Sequence, residues 1–436
     1  FVPANREYDQ IPVRTINSQF DSVHRDVLAL AAACPAEQAI VVLHSGGSSG
    51  PWARWSLLAA PKGHLKILDD GYRWSGPSWP ELEEALEKVA PHDPLAIMDA
   101  AIAADRATGI PQSPSLPFIG GWVISLRYEL GAHIETAVGA GSALPRGVLA
   151  DFLWCPDATL HDAHSDNWWS IGEPISCGGT TDNRISLQLD EWSSHPDQRG
   201  FEEAVSRTIE LIRRGDLFQA NIARQLSTTC RGDLRTFALE ALATSGAWFG
   251  CWMELPDEQS DRGILGMSPE LFLDLDSKSG RLCSRPIKGT RPVDVPAVEL
   301  AGSEKDAAEL HMIVDLMRND LGRVCELGSI EVTQPRSIES HPTVHHGVAE
   351  ISGKLLEQTP FSELLKATFP PGSVTGAPKI RAMQVINELE HLPRGPYCGA
   401  VGAISTTGDL RLGVSIRTAA FEGRAPGGFT DVQGRL

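Results

Sequence analysis

The chain has 436 residues, 42% apolar and 22% charged, with a formal net charge of −18. That length holds one large α/β domain or two to three ordinary ones, with ample material for a core. The negative balance argues against nucleic acid or an anionic membrane as partner, and admits a small anionic substrate only through a local cluster of positive groups.

The longest apolar run, from Val27 to Cys34, is too short to cross a bilayer, and no signal peptide is visible. Eight cysteines are scattered without a C-x-x-C pair, which reads as reduced thiols in a cytoplasmic protein. Residues 1–190 read as strands and helices with many turns. The run from Ala39 to Leu43 predicts a buried strand ending in His44-Ser-Gly-Gly-Ser-Ser-Gly50, which is not a phosphate loop because no G-K-[S/T] follows. The polar segment 190–200 marks the boundary with a second region, 200–436.

Beyond it, Phe201, Val205, Thr208, Ile209 and Ile212 predict a helical stripe, with Gly215 as its C-cap. From Leu217 to Leu226 the pattern alternates, with Phe218, Ala220 and Ile222 on one face and Gln219 and Asn221 on the other. Gln219 is either an ordinary polar strand residue or a hydrogen bonder aimed at a ligand. Leu271, Leu273 and Leu275 predict a strand that returns through Leu282 towards Lys288. A three-residue loop, Lys278-Ser279-Gly280, with the glycine left-handed, would pair 277 with 281 and set Glu270 opposite Lys288.

Ser303 with Asp306 resembles a helix capping box, followed by an apolar stripe of Leu310, Ile313, Val314, Met317 and Leu321. Glu309 at the stripe's edge reaches either a cavity or water. His311, His341, His345 and His346 invite a metal reading, but Pro342 breaks any helix that would align them, which favours packing or substrate contact. A further helix carries Ala382, Val385, Ile386 and Leu389 after Gly376-Ala-Pro-Lys379. Pro378 suits its first turn, and the Gly376 and Ala377 N–H groups would cradle a carboxylate. A hairpin of Val401 to Ser405 and Leu410 to Thr418 would bring Arg417, suited to bidentate carboxylate binding, near Tyr397 and Gly399.

Lys288 stands between Arg285 and Arg291, just before a Gly-Thr turn. An amine attacks only when neutral, and burial or neighbouring positive charge favours that form. Lys288 is therefore a candidate covalent catalyst, to be weighed against a solvated edge lysine.

Five segments together resemble the chorismate-utilising enzymes: Gly266-Met-Ser-Pro-Glu270, Arg285-Pro-Ile-Lys-Gly-Thr-Arg291, Met312 to Arg323, Gly372-Ser-Val-Thr-Gly-Ala-Pro-Lys379 and Ser415-Ile-Arg-Thr418. The resemblance is strong over 201–420 and weaker before it. It implies an α+β fold, an antiparallel β-sandwich core with helices packed outside. Within the family, Pro-Ile-Lys-Gly-Thr is most similar to the aminodeoxychorismate synthase branch. Anthranilate synthases usually carry alanine at the position of Lys288, and isochorismate and salicylate synthases a water-activating lysine at that of Gln219.

The resemblance implies that Lys288 attacks C2 of chorismate while Glu270 protonates the departing C4 hydroxyl. Ammonia then enters at C4. Glu309 would hold Mg2+ against the ring carboxylate. Arg417, Tyr397, Gly376 and Gly399 would contact substrate carboxylates, and His346 the reacting edge of the ring. Thr290, Ser373 and Lys379 would line the pocket. Ammonia would come from a separate glutamine amidotransferase subunit or from free ammonium, since no glycine-bracketed nucleophilic cysteine is visible. The family's Gly-rich strand and second magnesium glutamate after Ser-Ile-Arg-Thr have no match in Gly427-Gly428-Phe429 or in the seven residues from Thr430 to Leu436. Leu43-His44-Ser45 stands where anthranilate synthases bear a tryptophan-feedback segment, so no tryptophan feedback is expected. The expected activity is amination of chorismate to 4-amino-4-deoxychorismate for para-aminobenzoate and folate synthesis. The alternatives are anthranilate synthase component I and a catalytically silent subunit that binds chorismate or an amino acid.

Overall fold

A computed structural model describes residues 13–15, 26–47, 50, 52–106, 116–138, 147–175, 186–258, 260–425 and 428–436. Ser48, Ser49 and Gly427, singled out above, lie outside the described residues.

Two eleven-stranded antiparallel sheets stack face to face. The first has Val41–His44, Phe249–Leu255, Asp261–Ser268 and Thr418–Arg424 at its middle. The second runs from Ile287–Pro292 through Val344–Lys354, Arg281–Arg285, Leu271–Asp276, Leu410–Val414, Ala400–Ser405, Gly121–Leu126, Val148–Cys155 and Gly63–Leu68 to Tyr72–Ser75, with Glu331–Ser340 added on Val344–Lys354. Strands from residues 1–190 and 200–436 share both sheets. Val41–His44 pairs with Phe249–Leu255, and Gly121–Leu126 with Ala400–Ser405.

Period-two patterning explains the layers. Val123 and Leu153 point inward and meet Val41, Leu57, Cys251 and Ile264 of the other sheet. Their neighbours Trp122, Ile124 and Phe152 point outward, under helices Pro80–Glu87, Pro94–Asp105, Glu304–Gly322 and Phe361–Thr368. Val27–Ala32 and Leu234–Ser245 cover the outer face of the first sheet. The expected sandwich with helices outside is the observed fold. Among the described residues no helix is long and apolar enough to cross a membrane, and the described cysteines are buried and form no disulfide.

Local expectations fared unevenly. Ser303 caps Glu304–Gly322 by accepting from the Asp306 N–H at 3.3 Å, and all five residues of the predicted stripe are buried. Gly215, left-handed at φ +82°, ends Gln198–Arg213 with Gly215 N–H donating to Ile212 O and Asp216 N–H to Leu211 O. That helix buries Ala204, Thr208 and Leu211, however, and leaves Ile209 and Ile212 exposed. The apolar residues chosen from sequence lie on its flank. The predicted strand from Leu217 to Leu226 breaks into Gln219–Ala220 and Gln225–Ser227, with Phe218 exposed rather than buried. Pro378 is the N-cap of Lys379–Leu389, one position before its first turn.

The hairpin register is also corrected. Asp276 pairs with Arg281 around a four-residue loop, because the Asp276 carboxylate accepts the Lys278 and Ser279 N–H groups and widens the turn. Gly280 is left-handed as expected. A bulge then shifts the pairing so that Leu271 meets Arg285. Glu270 and Lys288 are therefore not ladder partners.

Candidate active site

What brings Glu270 and Lys288 together is the end of the Leu271–Asp276 strand. Past Pro286 the returning chain continues alone against Val344–Lys354, pairing Ile287 with Val348 and Thr290 with His346. Glu270, 4% exposed, sits at that end and accepts hydrogen bonds from the Ile287 N–H and the Ser373 hydroxyl. Lys288 Nζ donates to the Ser373 carbonyl oxygen at 2.8 Å. Ser373, buried on the turn Gly372–Val374, thus touches both groups. Burial pushes the Glu270 carboxyl up to about 7, against the opposing pull of the Ser373 hydroxyl, the Lys288 charge and the Ile287 N–H. A carboxyl so placed is poised as a proton donor near neutral pH.

The flanking arginines do not supply the uncompensated positive charge suggested for them. Arg285 pairs with Glu339 and, at 3.1 Å, with Glu350. Arg291 pairs with Asp306 at 2.8 Å.

Beside this corner, His346 is 2% exposed, with Nδ1 2.9 Å from Thr290 Oγ1 and Nε2 3.0 Å from Arg417 Nη2. A guanidinium only donates, so Nε2 accepts and the proton resides on Nδ1, facing Thr290. Burial, with Arg417 and His341 beside it, lowers His346 to about 4, so the imidazole is neutral. Arg417 reaches it from a corner. The predicted strand from Leu410 to Thr418 ends at Val414, the chain crosses over, and Thr418–Arg424 joins the other sheet. Arg417 turns that corner at φ +51°, a left-handed conformation uncommon for a residue with a side chain. The Cys398 N–H donates to Ser415 O at 2.7 Å, which draws the Tyr397 loop alongside, and Tyr397 and Arg417 line one cavity. Burial raises the Tyr397 phenol, so it stays a neutral donor.

Gly376 pairs with Ala220 next to Gln219, and a Cβ there would lie 2.1 Å from Gln219 O. At Gly399 a Cβ would lie 1.9 Å from Leu126 O. Both are glycine because two backbones touch. The Lys379 amine is engaged by Asp320 at 2.5 Å and Thr368 O at 2.9 Å. His341 packs on Trp248 and on His346, His345 contacts Ser340, and His311 is exposed on its helix. Among the described residues no three His, Cys, Asp or Glu side chains form a metal-binding group. Glu309, expected to hold Mg2+, is 38% exposed on its helix with Lys305 at 3.8 Å. Mg2+ commonly takes one or two carboxylates and completes its shell with substrate and water.

Sequence reasoning passed over Arg394 and Glu390, a buried pair behind the Ser373 turn. Their i, i+4 spacing was the available signal. Leu43 and His44, at the position of the family's feedback segment, line a separate cavity between the sheets with Trp52, Trp248 and Phe249.

Known proteins resemble this chain. A family model described as chorismate binding enzyme matches residues 81–427. Aminodeoxychorismate synthase component 1 of Escherichia coli strain K12 is 33% identical over 396 residues, covering 87% of this chain and 84% of that protein. Aminodeoxychorismate synthase of Streptomyces griseus is 46% identical over 87% of this chain, which spans 53% of that protein's length. The crystal structure of anthranilate synthase component I from Streptococcus pneumoniae TIGR4 superposes with a TM-score of 0.68 at 26% identity, covering 86% of this chain and 87% of that one. The chain belongs to the chorismate binding enzyme family.

Proposed function

We propose that this enzyme aminates chorismate with ammonia to 4-amino-4-deoxychorismate through a covalent Lys288 intermediate. One observation carries the reading: half-buried Lys288 and buried Glu270 converge on Ser373. After its ammonium has given a proton to solvent, Lys288 adds as an amine to C2 while the C4 hydroxyl leaves as water on receiving the Glu270 proton. The added nitrogen returns its extra proton to Glu270. Ammonia then bonds to C4, Glu270 protonates the Lys288 nitrogen as the C2–N bond breaks with return of the ring double bond, and the new ammonium group gives its extra proton back to Glu270, leaving Lys288 as a free amine. The net change is gain of ammonia and loss of water.

Arg417 and Tyr397 are suited to a substrate carboxylate, with neutral His346 holding the guanidinium in place. The backbone at Gly376 and Gly399, with Gln219, would shape the rest of the pocket. Glu309 would hold Mg2+ with the ring carboxylate, and the cation would neutralise that charge. Lys379, tied to Asp320, would support the wall. Resemblance to a component 1 protein supports ammonia delivery by a separate glutamine amidotransferase subunit, and the product would serve para-aminobenzoate synthesis.

The test is incubation with chorismate, Mg2+ and ammonium, following products by mass. 4-Amino-4-deoxychorismate, together with a trapped adduct on Lys288 and loss of turnover by at least ~10³-fold in Lys288→Ala, is the expected result. Likeness to the Streptococcus pneumoniae structure favours a second reading, anthranilate synthesis, which release of pyruvate would reveal. Absence of any turnover would leave a binding subunit.

A further inference from the structure

We propose that Arg394, held by Glu390, is a positioning residue for the Lys288–Glu270 corner and acts through the turn that carries Ser373. The inference rests on the reading of that corner as the reacting one. The Arg394 side chain is 3% exposed. Its Nε and Nη2 grip both Glu390 oxygens at 2.8 and 2.7 Å, a planar fork on a carboxylate. The remaining donors reach two backbone carbonyls, Val374 O at 3.3 Å and Asn221 O at 2.5 Å. The guanidinium also lies 4.6 Å above the Tyr128 ring.

Each contact leads to a segment that borders the site. Val374 follows Ser373, whose carbonyl holds Lys288 and whose hydroxyl holds Glu270. Asn221 continues the short strand of Gln219, which lies against Gly376. Glu390 follows the helix Lys379–Leu389 and also accepts the Ala223 N–H at 2.7 Å. Arg394 itself begins the loop of Tyr397 and Gly399, and its own N–H donates to Glu129 at 2.7 Å. One side chain therefore ties together the Ser373 turn, the strand of Gln219, the end of the helix Lys379–Leu389 and the loop of Tyr397, of which only the first two are joined by a short strand pairing. It meets neither Lys288 nor Glu270, so its contribution is geometric. Lysine there would keep the charge but could not grip Glu390 and two carbonyls at once.

The test uses the full chain carrying Arg394→Lys, with Glu390→Gln as a second, gentler variant should the first not fold. Two readouts are taken: steady-state kinetics with chorismate and ammonium, and the rate at which an amine-directed acylating reagent modifies Lys288, followed by peptide mass. Release of the Ser373 turn is expected to lower kcat by about tenfold or more while KM for chorismate changes by less than ~3-fold. Lys288 is expected to react at least ~5-fold faster once Ser373 O no longer holds its amine. Free guanidinium ion should restore part of kcat in Arg394→Gly. If either folded variant melts earlier but keeps both wild-type kcat and the wild-type Lys288 modification rate, Arg394 is only structural and the inference falls. The modification rate does not depend on which reaction the enzyme runs. A wild type that makes no aminodeoxychorismate would thus overturn the proposed function, while an unchanged modification rate would overturn the role of Arg394.

Discussion

Two buried carboxyl groups, Asp151 in the core between the sheets and Glu270 at the end of its strand, are surrounded in opposite ways. Asp151 is 0% exposed, with the Arg262 fork from the opposite sheet at 2.9 and 2.6 Å and His64 Nε2 at 2.9 Å. Burial would raise it, but the Arg262 charge and the hydrogen bonds from His64 and Arg262 outweigh that and hold the carboxyl well below the usual range. Glu270 is 4% exposed and has no guanidinium, only a serine hydroxyl, a backbone N–H and the field of Lys288, and it rises to about 7. Burial alone does not make a carboxyl a proton donor. Withholding a matched cation does.

The sharpest way to break this contrast is to neutralise each group in turn. Glu270→Gln keeps the shape and the hydrogen-bonding capacity but cannot give a proton. Its turnover is expected to fall by roughly 10²–10⁴ with little loss of melting temperature. Asp151→Asn should do the reverse. Arg262, 7% exposed, loses its counter-charge, and the fold loses about 3–5 kcal/mol in a denaturant titration while the residual folded enzyme turns over normally. A stability loss in the first variant and a rate loss in the second would show that the two environments have been assigned the wrong way round.

The same two groups set opposite pH slopes of stability. Glu270 has a folded value of about 7, above the unfolded reference of 4.5, so the folded state holds its proton more tightly. Its contribution weakens stability as pH rises from about 4.5 to about 7, by about 2–3 kcal/mol in all. Asp151 is depressed when folded, so its contribution is present above its unfolded value of 3.8 and disappears as pH falls below it. Unfolding curves between pH 5 and pH 8 should therefore flatten in Glu270→Gln relative to wild type. An unchanged slope would place the titrating proton elsewhere. Activity carries the same sign, with kcat/KM declining as pH rises through about 7 while Glu270 loses its proton.

The parts of this molecule legible in the sequence are those that periodicity or a cap defines. The stripe from Leu310 to Leu321, the Ser303 cap and the Gly215 terminus each follow from a local rule and stand in the structure. The sandwich itself came from resemblance, because strands such as Gly121–Leu126 are buried on both faces and carry no alternation to read. The site was legible as residue types and not as geometry. Glu270 and Lys288 were expected to meet as ladder partners, yet they meet through Ser373, 85 positions beyond Lys288, after a bulge had moved the register. Arg417 was expected on a strand, but the chain turns there in a left-handed conformation that no propensity assigns to arginine. Arg394 escaped notice because its partners are backbone carbonyls, which every residue has.

The smallest expected effect concerns a third carboxylate, Asp276, which is exposed at the hairpin loop. Burial pulls its carboxyl up, but the Ser279 side chain, the Ser279 and Lys278 N–H groups and the Lys278 charge together outweigh that and lower it. The N–H groups of Lys278 and Ser279 lie 3.0 and 3.3 Å from its Oδ1, and these bonds hold the loop at four residues where sequence pattern alone favoured three. Asp276→Ala removes the one acceptor that both N–H groups share and leaves them in contact with water, so the cost is about 0.5–1.5 kcal/mol with kcat unchanged. A larger loss, accompanied by a fall in turnover, would mean that the loop transmits its register through the bulge to Leu271 and on to Glu270. The alternative outcome, a small cost confined to stability, would mean that the bulge absorbs the turn and isolates the reacting corner from it.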